Sequence, residues 1–335
     1  MSRLVFDSVG PATSVQDGGR HGAQRYGLMP SGAVDRLSLA AANVLVGNAP
    51  TAAAIELGPL GASLTARDGD LRLALSGAER TAAIAGKPVV LNESFLLGAD
   101  ETLTLGVARS QVFSYLAIAG GISGEPMFGS LAVNARAGLG SPYPRPLQPG
   151  DVIPAQAAVA GDERRLDLPK RTDEPIRVVL GPQDDEFGDA VATFLGSKWK
   201  ISAISDRMGY RLEGPQIKHL HGHNIVSDGT VDGSIQVPGN GQPIVLMPDR
   251  GTSGGYPKIA TVITADLGRL GQRQPGQPFR FAAVSMADAQ AAYRAMAQQI
   301  RTLPDRLQEA RYATLDLDAL TRENVAGAAV DALDG

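Results

Sequence analysis

Residues 227–276 read SDGTVDGSIQVPGNGQPIVLMPDRGTSGGYPKIATVITADLGRLGQRQPG. Three short apolar runs, at residues 233–237, 244–247 and 259–263, alternate in this stretch with loops rich in Gly, Asp and Pro. Apolar runs separated by such turn residues are typical of consecutive β-strands. The stretch therefore predicts at least three strands joined by tight turns.

The loop between the second and third runs, at residues 248–258, combines both signs of charge with two hydroxyl groups, a phenol and three glycines. Glycine lets a backbone approach a ligand closely, and loops held between strands commonly carry function. Arg and Lys beside a carboxylate suit an anionic or enolate-like substrate, and Asp249 can act as a base or as an anchor for an amide. The competing interpretation is an Asx turn with a solvated Arg250. The candidate residues in and near the loop are Ser227, Asp228, Gln236, Asp249, Arg250, Thr252, Ser253, Tyr256 and Lys258.

Composition limits the class of protein. The chain has 335 residues, 43% of them hydrophobic, which predicts a globular protein of two domains. Its 40 glycines and 22 prolines favour many turns and a β-rich architecture. A formal net charge of −4 gives no electrostatic case for nucleic-acid binding. The absence of Cys excludes disulfides, thiolate metal sites and Cys nucleophiles.

A helix is predicted directly after Asp35. Apolar residues recur at helical spacing over residues 37–46, Asp35 stands where an N-cap residue would, and Gly47 is a plausible stop. Asn43 is the polar residue in the middle of this helix. It is either an exposed or locally hydrogen-bonded side chain, or a side chain that points into a site.

The strand candidates between residues 53 and 119 are evenly spaced, which predicts a sandwich or a closed barrel. The Gly-Pro turn at residues 10–11 has a counterpart at 181–182, and this suggests either two related β-domains or a coincidence of turn residues. Residues 286–310 have helical spacing despite Pro304. We therefore predict an N-terminal β-barrel subdomain at residues 1–165, a second one at 175–285, and a C-terminal helix and tail at 286–335.

The strong catalytic signatures do not occur in this sequence. There is no GxxxxGK[ST] phosphate loop, no HExxH pair, and no GxGxxG that opens a helix after a strand. His219, His221 and His223 alternate, but no further ligand stands at a recognisable metal spacing, so we predict a solvated loop and no metal site. The chemistry that remains for this sequence is electrostatic binding and stabilisation of a small polar substrate.

Four stretches resemble the allophanate-hydrolase-subunit-2-like family, also called the KipA or biotin-dependent carboxyltransferase-like family. They are GPATSVQDGGRHGAQRYGLMPSGAVDRLSLAAANVLVGN at residues 10–48, SDRMGYRLEGP at 205–215, IVSDGTVDGSIQVPGNGQPIVLMPDRGTSGGYPKIATVITADLGRLGQ at 225–272 and QPG at 274–276. The resemblance implies a mainly β fold with two tandem cyclophilin-like β-barrel subdomains, a few helices and a C-terminal helix, and a site between or beside the barrels. The sequence departs from the family pattern at Pro248 and Gly251, where the family usually has Ala and Gln.

The family includes the third subunit of bacterial ATP-dependent 5-oxoprolinase and the carboxyltransferase domain of urea carboxylase. The first implies action on the lactam of 5-oxoproline, with ATP used by a complex that contains a subunit-1-like, KipI-like partner and a lactam-ring-opening partner. The second implies transfer of CO2 from carboxybiotin to urea or a similar amide. In either case the resemblance implies Asn43 and Asp249 as a catalytic pair.

The resemblance also implies substrate-binding roles for a group of residues outside that pair. In a carboxyltransferase, Arg250 and Lys258 would hold carboxylate or enolate charge, and Asn43 would bind the ureido group of biotin. A third hypothesis is a non-catalytic regulatory partner of a KipI-like protein. No apolar signal segment and no membrane span are found in the sequence, so we expect a cytoplasmic location. The implied substrate-binding residues are Ser227, Gln236, Asp35, Arg250, Thr252, Ser253, Tyr256 and Lys258.

Overall fold

The computed structural model describes residues 2–155, 162–170 and 172–310. In these ranges the protein is mainly β, as predicted, with four α-helices. The predicted tail lies mostly outside the described residues. The helices are α1 (Arg36–Leu45), α2 (Ala190–Gly196), α3 (Thr264–Gly271) and α4 (Met286–Arg301).

The first half of the chain forms two sheets that face each other across an apolar core. The six-stranded sheet has the order β11-β1-β4-β9-β6-β7, and the five-stranded sheet has the order β2-β3-β10-β5-β8. Inward side chains such as Phe6, Leu64 and Leu116 are fully buried between them. The strands are β1 (Arg3–Val9), β2 (Ser14–Gln16), β3 (Ala54–Leu57), β4 (Ala62–Arg67), β5 (Leu71–Gly77), β6 (Ala82–Ile84), β7 (Lys87–Pro88), β8 (Ser94–Leu97), β9 (Thr102–Leu105), β10 (Ser114–Ile118) and β11 (Val152–Pro154).

The second half forms an eight-stranded sheet of order β21-β14-β15-β18-β17-β20-β13-β22. Its two edge strands, β21 and β22, are separated in the chain by Arg280 alone, so the sheet curls into a nearly closed barrel. The strands are β12 (Arg164–Arg165), β13 (Ile176–Leu180), β14 (Trp199–Ile201), β15 (Gly209–Glu213), β16 (Asp228–Gly229), β17 (Ser234–Gln236), β18 (Ile244–Leu246), β19 (Ser253–Gly254), β20 (Lys258–Val262), β21 (Pro278–Phe279), β22 (Phe281–Ala283) and β23 (Gln308–Glu309).

Several element predictions need correction. Among the evenly spaced strand candidates between residues 53 and 119 was one at residues 89–91; these residues form no strand, and the chain pairs instead at β7 just before them and at β8 just after them. The helix expected over residues 286–310 ends at Arg301, because Pro304 starts a 3-10 turn and cannot continue an α-helix. Helix α3, which carries two glycines, was not predicted at all.

One hydrophobic core is shared by the two halves of the chain. Leu39 and Val44 on α1, together with Tyr115 on β10, pack into the same buried cluster as Trp199 and Ile235 of the eight-stranded sheet. The separate cluster between the two sheets of the first half contains only first-half residues. Helix α1 is therefore one of the elements through which the first half contacts the second, and this explains why eight of its ten residues are buried.

The N-terminus of α1 is fixed by a local cap and by a contact with the second half. Asp35 accepts a hydrogen bond from the backbone N of Ser38, as predicted for an N-cap. Gly271 at the end of α3 lies against Val34, and a Cβ atom built on Gly271 would stand 2.1 Å from Val34 Cγ1. The absence of a side chain at Gly271 is what lets α3 approach the start of α1.

Helix α4 packs across the junction of the two halves, against α1, α3 and β13. Beyond it the chain turns back, and β23 pairs antiparallel with β12 in the segment that connects the halves. This pairing attaches the end of the described chain to the segment that connects the two halves. It also holds α4 over the space between the two halves.

Candidate functional site

The loop predicted as a site, residues 248–258, lies against the first half of the chain, and its Arg250 is buried there. Arg250 forms an ion pair with Asp232, and its Nη2 atom donates to Thr230 O and to Gln24 Oε1, each at 3.3 Å. The Nε atom of Arg250 is buried without a hydrogen-bond partner. Burial lowers the pKa of Arg250, while Asp232 opposes this change. Arg250 is thus an internal cation of this junction, not the solvated side chain of a simple turn.

Lys258 is also buried, and it forms a second charged contact in the same region. Its Nζ atom donates to Asp228 Oδ2 at 2.8 Å, and Asp228 in addition accepts from Gln183 Nε2 at 3.3 Å. The hydrogen bond from Lys258 lowers the pKa of Asp228. The short pairing of β16 with β19 holds Asp228 opposite Gly254, so the charges of this loop are arranged by backbone pairing.

The side chain of Asp249 takes no part in these two contacts. It is directed towards Arg207, which lies in the turn just before β15. Arg207 Nε donates to Asp249 Oδ2 at 2.9 Å, and Arg207 Nη2 donates to Oδ1 at 3.2 Å. The same guanidinium donates from Nη1 to Glu56 Oε1 at 2.5 Å and from Nη2 to Gly32 O at 2.8 Å. Burial alone would lower the pKa of Arg207, but the carboxylates of Asp249 and Glu56 raise it above its ordinary value.

A chain of hydrogen bonds continues from Glu56 to Asp35. Tyr115 donates its hydroxyl to Glu56 Oε2 at 2.7 Å, and the backbone N of Asp35 donates to the Tyr115 hydroxyl oxygen at 2.8 Å. Burial, together with Glu56 and Asp35, raises the pKa of Tyr115 well above its ordinary value, so Tyr115 stays a neutral donor. Asp249 in the predicted loop is thereby connected to Asp35 at the start of α1.

Asp35 lines a cavity of about 810 Å³ that lies between the two halves and under α4. The cavity is bounded on one side by Asp35 and Ser38 of the first half, and on another by Arg177, Asp266 and Arg269 of the second. Its size is within the usual range for small-molecule sites, which favour the boundary between domains. We therefore take this cavity, with the polar chain that ends at Asp35, as the candidate site.

The charged wall of the cavity is built around Asp266, whose side chain is fully buried. Arg177 holds Asp266 in a bidentate contact, with Nη2 at 2.7 Å from Oδ1 and Nε at 3.0 Å from Oδ2, and Arg269 Nη1 lies 3.1 Å from Oδ2. Burial would raise the pKa of Asp266, but the two guanidinium groups lower it below its ordinary value. Two Arg side chains thus share one carboxylate, and Lys170 adds a further cation to the lining. The wall can attract an anionic ligand.

Gln272, just after α3, fastens the second half to the first. Its Nε2 atom donates to Asp35 Oδ2 at 2.9 Å and to Phe113 O at 2.8 Å, and its Oε1 atom accepts from the backbone N of Val112 and of Phe113. Because Gln272 contacts Asp35 directly, it fixes that carboxylate at the cavity wall.

The structure does not bring Asn43 together with Asp249. The amide of Asn43 is fully buried; its Nδ2 atom donates to Ala52 O at 2.8 Å and its Oδ1 atom accepts from Asn48 Nδ2 at 3.1 Å. Asn43 is eight positions after Asp35, which is roughly 12 Å along the helix axis. The contacts of Asn43 hold the turn after α1, and they do not support a role beside Asp249.

The other predicted substrate-binding residues lie in the loop region, away from the cavity lining. Gln236 is buried, and its Nε2 atom stands 3.4 Å from Tyr256 O, where it braces the loop. Tyr256, Ser227 and Ser253 are at the surface. The backbone O of Thr252 accepts from Thr230 N. Of the predicted site residues, Asp35 is the one that the cavity lining includes.

Sequence reasoning missed Arg177 and Asp266 of the cavity wall and the residues behind it that bind Asp249 and Asp35. Arg207 stood inside the stretch SDRMGYRLEGP, and Asp266 and Gln272 inside ITADLGRLGQ, so the resemblance already marked their neighbourhoods. Glu56 gave no signal beyond a single charge within an apolar strand. Arg177 likewise lies within a predicted strand, and its role depends on Asp266, which is far from it in the sequence.

His219, in the loop of alternating histidines, makes ordinary protein contacts. Its Nε2 atom lies 2.9 Å from Val237 O, and its ring packs against Phe187. Within the part of the chain that the structure describes, no group of three or more His, Asp or Glu side chains could hold a metal ion. No helix in the described ranges is long and apolar enough to cross a membrane.

Comparison with known proteins matches most of this chain. The model of the carboxyltransferase domain, subdomain A and B, matches residues 26–283. The chain is 38% identical to the C subunit of 5-oxoprolinase from Escherichia coli strain K12, over 85% of this chain and 93% of that protein. It is 35% identical to the corresponding C subunit from Haemophilus influenzae, over 85% of this chain and 92% of that protein.

A solved structure supports the fold. The crystal structure of the K. lactis urea amidolyase matches with a TM-score of 0.83 at 27% identity, covering 94% of this chain and 20% of that one. The chain therefore corresponds to about a fifth of that larger protein. From the matched residues 26–283 and the relatives that align along nearly their full length, we conclude that the chain belongs to the family defined by the carboxyltransferase domain, subdomains A and B.

Proposed function

We propose that this chain is a subunit of a 5-oxoprolinase complex that acts on the lactam of 5-oxoproline. The observation that carries the proposal is the 38% identity to the C subunit of the Escherichia coli 5-oxoprolinase across 93% of that protein. In the net reaction, water adds across the lactam C–N bond to give glutamate, coupled to ATP hydrolysis. The difficulty of the reaction lies in opening an unreactive amide, so the complex must activate the carbonyl and control the nitrogen.

The cavity between the halves suits this substrate class. 5-Oxoproline has one carboxylate and one secondary amide on a compact ring. Arg177, Arg269 and Lys170 provide the positive side of the cavity, where the substrate carboxylate would bind. Asp35 and Ser38 line the same cavity and would face the lactam group, as a hydrogen-bond acceptor and a hydroxyl.

Asp249 acts in this proposal as a positioning residue. It binds Arg207, which binds Glu56, and the hydroxyl of Tyr115 joins Glu56 to the backbone of Asp35. Loss of the Asp249 carboxylate would let Arg207 shift, and the shift would pass along this chain to the start of α1. Arg250 and Lys258 would fix the position of the loop, because both are buried in ion pairs.

ATP is assigned to the complex and not to this chain. The sequence has no phosphate loop, and among the described residues no acidic cluster suits a divalent cation. We propose that a KipI-like, subunit-1-like partner and a lactam-ring-opening partner supply the ATP site and the hydrolytic step.

A second candidate is a biotin-dependent carboxyltransferase that acts on urea or a similar amide. The match to the K. lactis urea amidolyase supports it, and the guanidinium groups of Arg177 and Arg269 could donate to the ureido oxygen of biotin. It fits less well, because the relatives that align along nearly their whole length are 5-oxoprolinase subunits.

The test is to purify the chain alone and together with its two partner subunits, and to measure ATP hydrolysis with and without 5-oxoproline. Turnover that requires both the complex and 5-oxoproline supports the proposal. Turnover that requires carboxybiotin and urea supports the second candidate. If neither occurs, the third hypothesis, a regulatory partner of a KipI-like protein, is the one that is left.

A further inference from the structure

A smaller pocket lies beside the large cavity, at the end of α3, and we call it the side pocket. It has a volume of about 150 Å³, and it shares Arg269 and Thr172 with the lining of the large cavity. Arg273, four residues after Arg269, lines the side pocket but not the large cavity. The side pocket therefore joins one guanidinium of the large cavity wall to a second one that the large cavity does not contain.

Arg273 is enclosed by the protein, but its charge has no close acceptor among the described residues. Its side chain is 11% exposed and lies over the ring of Phe279. Its Nη1 atom is 3.5 Å from Pro278 O, its Nη2 atom is 3.6 Å from Asp173 Oδ1, and its Nε atom is buried without a hydrogen-bond partner. Burial lowers the pKa of Arg273, Asp173 opposes this change, and the charge of Arg269 adds to it. A buried cation is normally held by short charge-assisted hydrogen bonds, which Arg273 lacks.

The carboxylate that faces Arg273 belongs to a side chain that is fully exposed. Asp173 lies in the segment that connects the two halves, and at 3.6 Å its Oδ1 atom is beyond hydrogen-bond distance. An ion pair with a fully exposed member is screened by water and salt and contributes little. Asp173 can therefore turn into solvent at little cost and leave the side pocket to another anion.

The other groups at the side pocket suit an anion that has several oxygens. Arg269 binds Asp266 through Nη1, and its Nε atom is buried without a partner. Two hydroxyl groups and one amide also line the side pocket, from Ser110, Thr172 and Gln111. Phosphate has more charge and more acceptor oxygens than a carboxylate, and guanidinium groups match its geometry. A carboxylate ligand would only replace Asp173, whereas a phosphate can bind both guanidinium groups.

We propose that Arg269 and Arg273 form an oxyanion site at the side pocket, and that its ligand is phosphate. Arg273 binds the phosphate directly, and Asp173 turns out to solvent as the phosphate enters. A volume of about 150 Å³ has room for one phosphate with several water molecules. In the proposed complex, ATP hydrolysis is the source of this phosphate. That source rests on the proposed function, but phosphate binding by this chain does not.

The test is titration calorimetry of the purified full chain with sodium phosphate, at neutral pH and constant ionic strength, without partner subunits or 5-oxoproline. The variants are Arg273→Gln, Asp173→Asn and Arg136→Gln. Arg136→Gln is the matched control, because it removes the same charge at an exposed position that lines neither the large cavity nor the side pocket. Asp173→Asn changes an exposed side chain, so it keeps the test decisive if Arg273→Gln does not fold. Acetate is the carboxylate for comparison.

We expect Arg273→Gln to raise the dissociation constant of phosphate at least about tenfold, because a charge-assisted contact is lost. Asp173→Asn should lower it about fivefold, because a competing negative charge is removed, and Arg136→Gln should leave it unchanged. Phosphate should bind more tightly than acetate.

A wild-type chain that does not bind phosphate overturns the inference. So does phosphate binding that neither Arg273→Gln nor Asp173→Asn changes, since such binding is adventitious, and so does equal affinity for phosphate and acetate. None of these results depends on turnover of 5-oxoproline, so the proposed function would stand.

The source of the phosphate is tested in the complex with its partner subunits. Phosphate should inhibit lactam-dependent ATP hydrolysis, and the Arg273→Gln complex should need at least about tenfold more phosphate for the same inhibition. Equal inhibition of wild type and Arg273→Gln would show that this assignment of the source is wrong. A complex without turnover overturns the proposed function and leaves the calorimetric result as it is.

Discussion

The Nη1 atom of Arg207 lies 2.5 Å from Oε1 of Glu56, although 151 residues separate the two in the chain. Glu56 is on β3 of the first half, and Arg207 precedes β15 of the second half. Arg207 also binds Asp249, so two carboxylates, one from each half, meet at one guanidinium. This contact joins the two halves next to the cavity that we propose as the lactam site.

Replacement of Glu56 by Gln should lower the free energy of unfolding by about 3 kcal/mol, since it removes one member of a buried ion pair and leaves part of the Arg207 charge uncompensated. Urea unfolding of the wild type and Glu56→Gln measures the difference. The exposed pair between Arg67 and Asp100 supplies the control. There Asp100→Asn should change stability by less than about 1 kcal/mol, and equal effects of the two variants would contradict the special role of the buried pair.

Replacement of Asp249 by Asn should abolish most of the activity of the complex and cost little stability. Arg207 keeps Glu56 and Gly32 O as partners, so the fold survives, while the chain of contacts that orients Asp35 loses its fixed end. We expect kcat to fall at least about tenfold, at a melting temperature close to that of the wild type. Asp185→Asn, at an exposed position, is the matched control. A fully active Asp249→Asn complex would refute the role of this carboxylate.

Asn43→Ala should act on stability and not on turnover. The buried amide of Asn43 pairs with Ala52 O and Asn48 Nδ2, and its removal leaves those groups unsatisfied, at a cost of about 2 kcal/mol. The rate per folded molecule in the complex should stay within about twofold of the wild type. A loss of turnover at full stability would instead favour the catalytic role that the resemblance implied for Asn43.

The pH dependence of stability should show the contribution of Asp266. Its pKa in the folded protein lies below the ordinary value of about 4 because Arg177 and Arg269 outweigh the effect of burial. A lowered folded-state pKa stabilises the protein above the unfolded-state pKa, and this stabilisation is lost as pH falls from about 4 through the folded-state value. Urea unfolding at pH 7, 5 and 3 should therefore show a gap between wild type and Asp266→Asn that narrows at pH 3. A gap of constant size would be evidence against the ion pairs.

Gly271→Ala tests how closely α3 approaches the start of α1. The new Cβ would stand 2.1 Å from Val34 Cγ1, and the overlap should lower the free energy of unfolding by about 1–3 kcal/mol. Gly196→Ala is the control at the end of α2, where a Cβ meets nothing within 4 Å. We expect this control to be neutral or slightly stabilising in thermal unfolding. Similar destabilisation of both variants would mean that loss of Gly flexibility, and not the contact with Val34, is responsible.

The sequence was informative where the signal was local. The strands β17, β18 and β20 and the cap of α1 at Asp35 follow from periodicity and turn residues that lie next to each other in the chain. Helix α3 was missed because its two glycines lower the local helix propensity, and its position is set by packing against the start of α1. The order of strands in the three large sheets also depends on pairings between distant segments, which no short window contains.

The site was predicted less completely than the fold. Asp249 and Arg250 were found because their loop is unusual in composition, but their partners Arg207 and Asp232 are contributed by other loops. The cavity itself is formed by side chains from α1, α3 and α4 and from the segment that connects the halves. Only tertiary structure brings these together, and only Asp35 among the predicted residues is on its wall.

Gln272 has a consequence for how the chain is made. The backbone N–H groups of Val112 and Phe113, in the first half, donate to a side chain that is synthesised 159 residues after Phe113. Until the ribosome has passed Gln272, these donors and the carboxylate of Asp35 lack that partner in the emerging chain. We therefore expect the edge of the first half beside β10 to reach its native state only after translation of α3, so a nascent chain that stops before residue 272 should be more susceptible to proteolysis there.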